Sequence, residues 1–242
     1  MKPLRLDRYK NIVVLTGAGI SVASGLKTYR GPGGIYEDDS QSPLTIRNLQ
    51  EQPEVIWSIF NEMRATIGKA LPNAGHRALA DFEKNCGLDS NITVITQNID
   101  GLHQLAGSSS VIELHGNLCV SCCSNAQCQL VPFKDKEPHL GQARCEECSS
   151  LLRPKVVLFG EAIGGKEEYR AKRALRDVDL FLAVGTSGLV SPASNFLRSA
   201  NYAGALTIYV NIEALPDHLT GFQRQCIGKA EELLPLLFPN RI

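Results

Sequence analysis

Hydrophobic positions fall into short continuous runs rather than long periodic stretches. Residues 12–16 (IVVLT), 92–96 (ITVIT), 111–114 (VIEL), 156–159 (VVLF), 180–184 (LFLAV) and 206–210 (LTIYV) are dominated by apolar or β-branched side chains. Such runs, with little polar alternation, predict strands covered on both faces, as in a parallel sheet between helical layers. Helix-length segments at 74–85, 166–176 and 193–200 separate several of them. The alternation predicts an α/β fold with a doubly wound parallel sheet.

Two stretches break the rhythm. Between about 37 and 71 there is no strand-like run, and Val55, Ile56, Ile59, Phe60, Met63 and Ile67 recur at helical spacing, which predicts an amphipathic helix within a helical insertion. Residues 119–152 are polar and cysteine-rich with no core pattern of their own, so a metal is expected to hold them. No internal repeat or long linker is visible, and both breaks read as insertions into one α/β core.

At 242 residues the chain is long enough for one larger domain, or one domain with a small module. Its 25 basic and 25 acidic side chains cancel. Zero net charge argues against a general nucleic-acid or anionic-membrane binder, which needs an excess of Lys and Arg. The apolar stretch at 12–15 is too short for a signal-peptide core or a membrane span, so a soluble, cytoplasmic protein is expected. Eight cysteines stay reduced in that compartment, and clustering among them points to metal before disulfide.

Candidate chemistry sits where the strands should end. GAGISVASG at 17–25 follows the first run, and glycines at a strand-to-helix turn let backbone N–H groups approach a phosphate. Val22 stands where the common G-x-G-x-x-G turn has its third glycine, and a tight turn without a ligand would also favour Gly17 and Gly19. TQNIDGLH at 96–103 places two amides and a carboxylate, Gln97, Asn98 and Asp100, at the end of the second run. They can grip a ribose and orient a water, or simply cap a polar turn. His115 follows the third run in ELHG, where an imidazole can take a hydroxyl proton near neutral pH. A lone histidine is more often an ordinary hydrogen-bonded residue, the reading given to His76, His103, His139 and His218. GTS at 185–187 and NIE at 211–213 end two later runs; Glu213 can bind ribose hydroxyls, and helix capping is the plainer reading. Four polar loops at strand carboxyl ends would face one crevice, and that convergence favours a ligand site.

Cys119, Cys122, Cys123, Cys128, Cys145 and Cys148 cluster, whereas Cys86 and Cys226 stand apart and read as small buried hydrophobes. Cys145 and Cys148 form a C-x-x-C knuckle, and two knuckles give the closed four-thiolate site of a structural zinc ion. The other half is open: spacing alone prefers Cys119 with Cys122, while Cys123 and Cys128 offer a C-x4-C pair. A redox role for Cys145 and Cys148 is weaker, because the knuckle does not open a βαβ unit.

Together these residues resemble the sirtuins, the NAD-dependent protein-lysine deacylases. The match runs through nearly the whole chain: GAGIS at 17–21, SGLKTYRG at 24–31, TQNIDGLH, LHGNL at 114–118, the cysteine segment, LRPKVVLFGE at 152–161, GTSGLVSPA at 185–193 and NIE. The resemblance implies a Rossmann-like domain from residues 1–36, 72–118 and 153–242. A small domain would combine the helical module 37–71 with the zinc module 119–152. It implies that Gly17, Ala18, Gly19 and Ser21 line the NAD phosphates and that Arg30 reaches the cofactor. Gln97, Asn98 and Asp100 would serve the nicotinamide end, and Gly185, Thr186, Ser187, Asn211, Glu213 and Ala230 the adenosine side. His115 is the implied general base, with Asn98 and Asp100 in the catalytic set. In the implied reaction the acyl oxygen attacks the ribose carbon bearing nicotinamide, nicotinamide leaves, and His115 helps a ribose hydroxyl complete acyl transfer. The products are free lysine, nicotinamide and O-acyl-ADP-ribose. Sirtuins place the first zinc cysteine eight residues after the histidine, which selects Cys123, Cys128, Cys145 and Cys148. Val156, Val157, Leu158, Phe159 and Gly160 match the strand that pairs with the acyl-lysine peptide by β-augmentation.

The motif details are closest to the bacterial and desuccinylase-like branch, whose acid-acyl enzymes carry a Tyr-x-x-Arg pair. Aligning on Trp57 puts Phe60 and Met63 there, which favours deacetylation or removal of longer neutral acyl groups; Arg64 could substitute only through a one-residue slip. Lys27 replaces the family's usual Pro. The rival readings are a nicotinamide oxidoreductase, a mono-ADP-ribosyltransferase or NAD hydrolase on the same scaffold, and a catalytically silent zinc-ribbon or nucleotide-binding module.

Overall fold

The computed structural model describes residues 4–28, 34, 42–87, 90–139, 143–186, 193–216 and 221–239. After β1 (Asn11–Thr16) comes a 3-10 helix at Ala18–Ser24, then α1 (Ile46–Glu51), α2 (Pro53–Ile67) and α3 (Ala74–Asn85). Next are β2 (Asn91–Thr96), α4 (Leu102–Ala106), β3 (Val111–Glu113), β4 (Gly116–Cys123), β5 (Phe133–Lys134) and β6 (Leu152–Val156). The described chain closes with α5 (Gly165–Ala174), β7 (Leu180–Val184), α6 (Ala193–Tyr202), β8 (Leu206–Asn211), β9 (Arg224–Ile227) and α7 (Ala230–Leu237).

Six strands form one parallel sheet in the order β3-β2-β1-β7-β8-β9. Successive side chains on a strand point to opposite faces, so a strand apolar at every position must be covered twice. On one face Ile12, Val14, Leu180, Leu182 and Val184 pack against α3 and α7 through Leu79, Phe82, Leu234 and Phe238. On the other, Val13, Leu15, Phe181 and Ala183 pack against α5 and α6 through Ala171, Leu175, Phe196 and Ala200. The chain reverses its direction of sheet growth between β1 and β7, which opens a crevice at their carboxyl ends where such sheets bind ligands. This is the expected doubly wound fold. The edge strand β9 escaped the hydrophobic pattern because it is paired on one side only and its residues are mostly exposed.

A second, antiparallel sheet has the order β5-β4-β6. The apolar run at 156–159 was expected to be a strand of the large sheet. Its first residue instead ends β6 in this small sheet, and the rest turns away. Gly116 explains the local path: its φ is +79°, and a Cβ there would lie 1.9 Å from the Lys155 carbonyl oxygen. Only glycine lets β4 approach β6 so closely directly after His115.

The small sheet shares a third core with the helical segment, formed by Trp57 and Phe60 of α2 with Leu118, Cys145, Leu152 and Val156. Its polar keystone is Arg64, whose side chain is 2% exposed. Its Nε donates to the Leu118 carbonyl at 3.0 Å, Nη1 to the Glu137 carbonyl at 2.8 Å and Nη2 to Ser121 Oγ at 3.0 Å. Nη1 also lies 3.3 Å from Asp135 Oδ2, and the guanidinium sits 5.3 Å over the Trp57 ring. Burial alone would raise the Asp135 carboxyl; hydrogen bonds from Ser121 and His139, with the Arg64 charge, hold it below its ordinary value. Removing one partner of such a pair strands the other in the interior. We therefore expect Arg64→Ala to lower stability by about 3–5 kcal/mol, measured by denaturant titration; a loss under 1 kcal/mol would contradict this picture.

Candidate active site and metal centre

The crevice is built by backbones that meet without room for side chains. Gly17 N donates to the Val184 carbonyl at 3.0 Å, and Gly19 N to the Gly185 carbonyl at 2.9 Å. Gly185 has φ +58°, and a Cβ on it would stand 2.5 Å from the Ile20 nitrogen. The turns after β1 and β7 thus interlock, and the 3-10 helix starts at their junction.

The polar loop after β2 leans over this junction. Asn98 Nδ2 donates to the Gly17 carbonyl at 3.1 Å and to Ser21 Oγ at 3.2 Å, and Ser21 Oγ donates to Asp100 Oδ2 at 2.7 Å. Gln97 Nε2 donates to Thr186 Oγ1 at 2.8 Å, and Asn211 Nδ2 donates to the Thr186 carbonyl at 3.3 Å. Burial pushes the Asp100 carboxyl up, against the N–H of Leu102 and the Ser21 hydroxyl that bond its charged form.

His115 lies beside the same loop. Its Nδ1 is 2.9 Å from the Gln97 carbonyl. A carbonyl only accepts, so Nδ1 carries the proton and the neutral ring keeps its lone pair on Nε2. Burial lowers the His115 pKa and the Gln97 hydrogen bond opposes the shift, so the ring is neutral at pH 7.

The structure brings together Gly17, Ala18, Gly19, Ser21, Gln97, Asn98, Asp100, Gly185, Thr186 and Asn211. The exposed Glu213 lies just past the end of β8, and Ala230 opens α7. Arg30 and Ser187 lie outside the described residues. Sequence reasoning passed over the support behind the site. His103 Nε2 is 2.9 Å from Thr16 Oγ1, His76 Nε2 is 3.5 Å from Ser21 Oγ, and the two rings pack at 4.9 Å. Burial lowers their pKa values to about 4 for His76 and about 3 for His103, so both are neutral. The Asn73 cap preceding α3, which bonds both Gly75 N and the Ile20 carbonyl, was the sequence signal that could have tied His76 to the site.

The metal candidate is a separate cluster. Sγ atoms of Cys123, Cys128, Cys145 and Cys148 all lie within 4.8 Å of one another. Two of the separations are 3.5 Å, Cys123 to Cys148, and 3.6 Å, Cys128 to Cys145. Four thiolates around zinc at about 2.3 Å stand about 3.8 Å apart, so the four fit that ion. The N–H groups of Asn125 and Leu130 point at the Cys123 and Cys128 sulfurs, at 3.4 and 3.5 Å, a polarity suited to thiolates. The structure thus brings the C-x4-C pair, and not Cys119 and Cys122, to Cys145 and Cys148.

A parallel sheet with a glycine-lined polar crevice at its switch point, a poised imidazole beside it and a four-thiolate module defines a nucleotide-binding α/β enzyme with a structural metal. The Sir2 family model matches residues 17–192, and the chain belongs to that family. It is 41% identical over 211 residues to an NAD-dependent protein deacylase of Aquifex aeolicus, covering 85% of each chain. Among solved structures it is similar to a Sir2 homologue mutant in complex with ADP-ribose, at 31% identity and TM-score 0.86, covering 97% of this chain and 93% of that one. It is also similar to a Sir2 mutant holding a deacetylated p53 peptide and 3'-O-acetyl ADP-ribose, at 31% identity and TM-score 0.80, covering 95% and 92%.

Proposed function

We propose that the protein is an NAD-dependent protein-lysine deacylase acting on neutral acyl groups, acetyl first. The observation that carries the reading is the His115 ring, pinned through Nδ1 to Gln97 with Nε2 left as a base beside the glycine crevice. NAD, when bound, supplies the electrophilic ribose carbon and the nicotinamide leaving group. Gly17, Ala18, Gly19 and Ser21 would hold its phosphates, Gln97, Asn98 and Asp100 its nicotinamide end, and Gly185, Thr186, Asn211, Glu213 and Ala230 the adenosine side. Asn98 and Asp100 orient the reacting end through Ser21, and His115 takes the ribose hydroxyl proton at Nε2. Cys123, Cys128, Cys145 and Cys148 hold the structural zinc, in a small domain of residues 37–71 and 119–152 set on a Rossmann-like remainder. No helix among the described residues is long and apolar enough to cross a membrane, and we place the enzyme in the cytoplasm without nucleic-acid or membrane partners.

Acyl preference follows from what faces the third core. Phe60 is buried at 1% exposure and Met63 packs against the same cluster, so neither offers a carboxylate partner at the Tyr-x-x-Arg positions of the desuccinylase-like branch. Arg64 is fully engaged by Leu118, Glu137, Ser121 and Asp135 and cannot serve instead. Incubation with NAD and acetyl- or succinyl-lysine peptides, with products identified by mass, tests both points. We expect O-acetyl-ADP-ribose, and kcat/KM at least about tenfold lower for the succinyl peptide, the effect of one lost charge-assisted contact. Equal efficiencies would overturn the preference, and NAD consumption independent of peptide would overturn the deacylase reading.

A further inference from the structure

The segment 156–161 follows the catalytic histidine's neighbourhood closely. Val157 N donates to the His115 carbonyl at 2.9 Å, so this segment hangs directly on the residue that carries the base. Beyond it the chain closes a four-residue turn: Glu161 N donates to the Leu158 carbonyl at 3.0 Å, and Leu158 N donates back to Glu161 Oε2 at 2.8 Å. Phe159 is used on both sides, its N–H on the Leu44 carbonyl and its carbonyl on Ile46 N, each at 3.0 Å. The N–H groups of Val157, Leu158 and Phe159 are therefore all taken within the chain. Among the described residues, none bonds the Val157 carbonyl or the Gly160 N–H, and these are the groups left to pair with an incoming strand.

One ion pair sets the shape of this turn. Arg153, on β6, grips Glu161 with two parallel bonds, Nη1 to Oε1 at 2.5 Å and Nη2 to Oε2 at 2.7 Å, and Nη2 also donates to the Val156 carbonyl at 2.6 Å. The side chains are 12% and 23% exposed, so the pair is only partly screened by water. Glu161 Oε2 is shared between the guanidinium and Leu158 N, which couples the ion pair to the backbone of the turn. A fork-to-fork pair fixes direction as well as distance, and a lysine could not reproduce it.

We propose that Arg153 and Glu161 are positioning residues for the acyl-lysine peptide, holding the 157–160 turn so that the Val157 carbonyl and Gly160 N–H meet the peptide strand beside His115. The proposal rests on the deacylase reading and adds to it the element that sets peptide affinity. Neither side chain touches the reacting atoms, so their loss should act on peptide capture and leave the chemical step in place.

The test compares wild type with Arg153→Lys, Glu161→Gln and the charge-swapped Arg153→Glu/Glu161→Arg, with folding checked by thermal melts. Steady-state constants are measured for an acetyl-lysine peptide and for NAD, and peptide affinity by fluorescence anisotropy without turnover. We expect KM and Kd for the peptide to rise about tenfold in the single variants, with KM for NAD within twofold and kcat at saturating peptide within threefold. Glu161→Gln, which keeps an oxygen to accept from Leu158 N, should be the milder of the two, and the swap, which leaves Leu158 N without an acceptor and the Val156 carbonyl without a donor, should recover no affinity. Unchanged peptide constants, or parallel losses in kcat and NAD affinity, overturn the proposal while wild-type turnover leaves the deacylase reading standing. A wild-type protein that neither turns over nor binds acyl peptides overturns that reading and the positioning role with it.

Discussion

His115→Ala should remove NAD-dependent deacylation, with kcat/KM falling at least about a hundredfold, the usual worth of a positioned general base. The geometry makes the effect specific. Nδ1 is committed to the Gln97 carbonyl, so Nε2 alone can accept a proton, and only in the neutral ring. Burial lowers the His115 pKa, which favours that neutral ring. Activity should therefore be full above the folded-state pKa and lost as pH falls through it, with the acidic limb of kcat/KM below the ordinary histidine range. His115→Ala should also erase this limb from whatever activity survives. A variant retaining most of its kcat/KM, or a wild-type limb above the ordinary histidine pKa, would contradict the assignment.

Cys145→Ala should release the zinc and unravel the small sheet, because Cys145 is both a member of the thiolate cluster and, at 2% exposure, part of the third core. Structural zinc contributes on the order of 10 kcal/mol to small modules, and a chain of this size moves roughly 2–4 °C in Tm per kcal/mol. We expect zinc content to drop from about one per chain to near zero and Tm to fall by more than about 10 °C. Cys119→Ala and Cys122→Ala serve as controls and should retain the metal. Metal analysis of the purified variants decides it: zinc kept in Cys145→Ala, or lost in both controls, would overturn the ligand set.

Much of the large sheet was legible because strands buried on both faces write themselves as unbroken apolar runs. β1, β2, β3, β7 and β8 each stand within a residue of the expected run. β9 was not, since an edge strand needs no such run. β4 was hidden differently: its sequence GNLCVSCC is polar, and only Leu118 and Ser121 of it are buried, in a core completed by α2 from more than fifty residues earlier. The polar loops at strand ends could be placed in one crevice by topology alone, and they do converge. What single-sequence reasoning could not reach were pairings between distant segments. Spacing alone favoured Cys119 with Cys122, the family resemblance selected Cys123 and Cys128 instead, and the fold brings that second pair to Cys145 and Cys148. In the same way Arg64 could be offered as a carboxylate partner through a one-residue slip, a reading that its partners on β4 and near 135–137 remove.

Leu118 ties the polar loop after β2 to the helical segment through its own peptide groups. Its N–H donates to the Ile99 carbonyl at 2.9 Å, in the loop that carries Gln97, Asn98 and Asp100, while its carbonyl receives Arg64 from the helical segment. Arg64 in turn holds Asp135 and Glu137 of the cysteine-rich stretch. One peptide unit of β4 is therefore a junction where three segments distant in the chain share a hydrogen-bonded path, so a substitution that displaces the Leu118 backbone would be felt at once by the polar loop after β2, by α2 and by the stretch around 135–137.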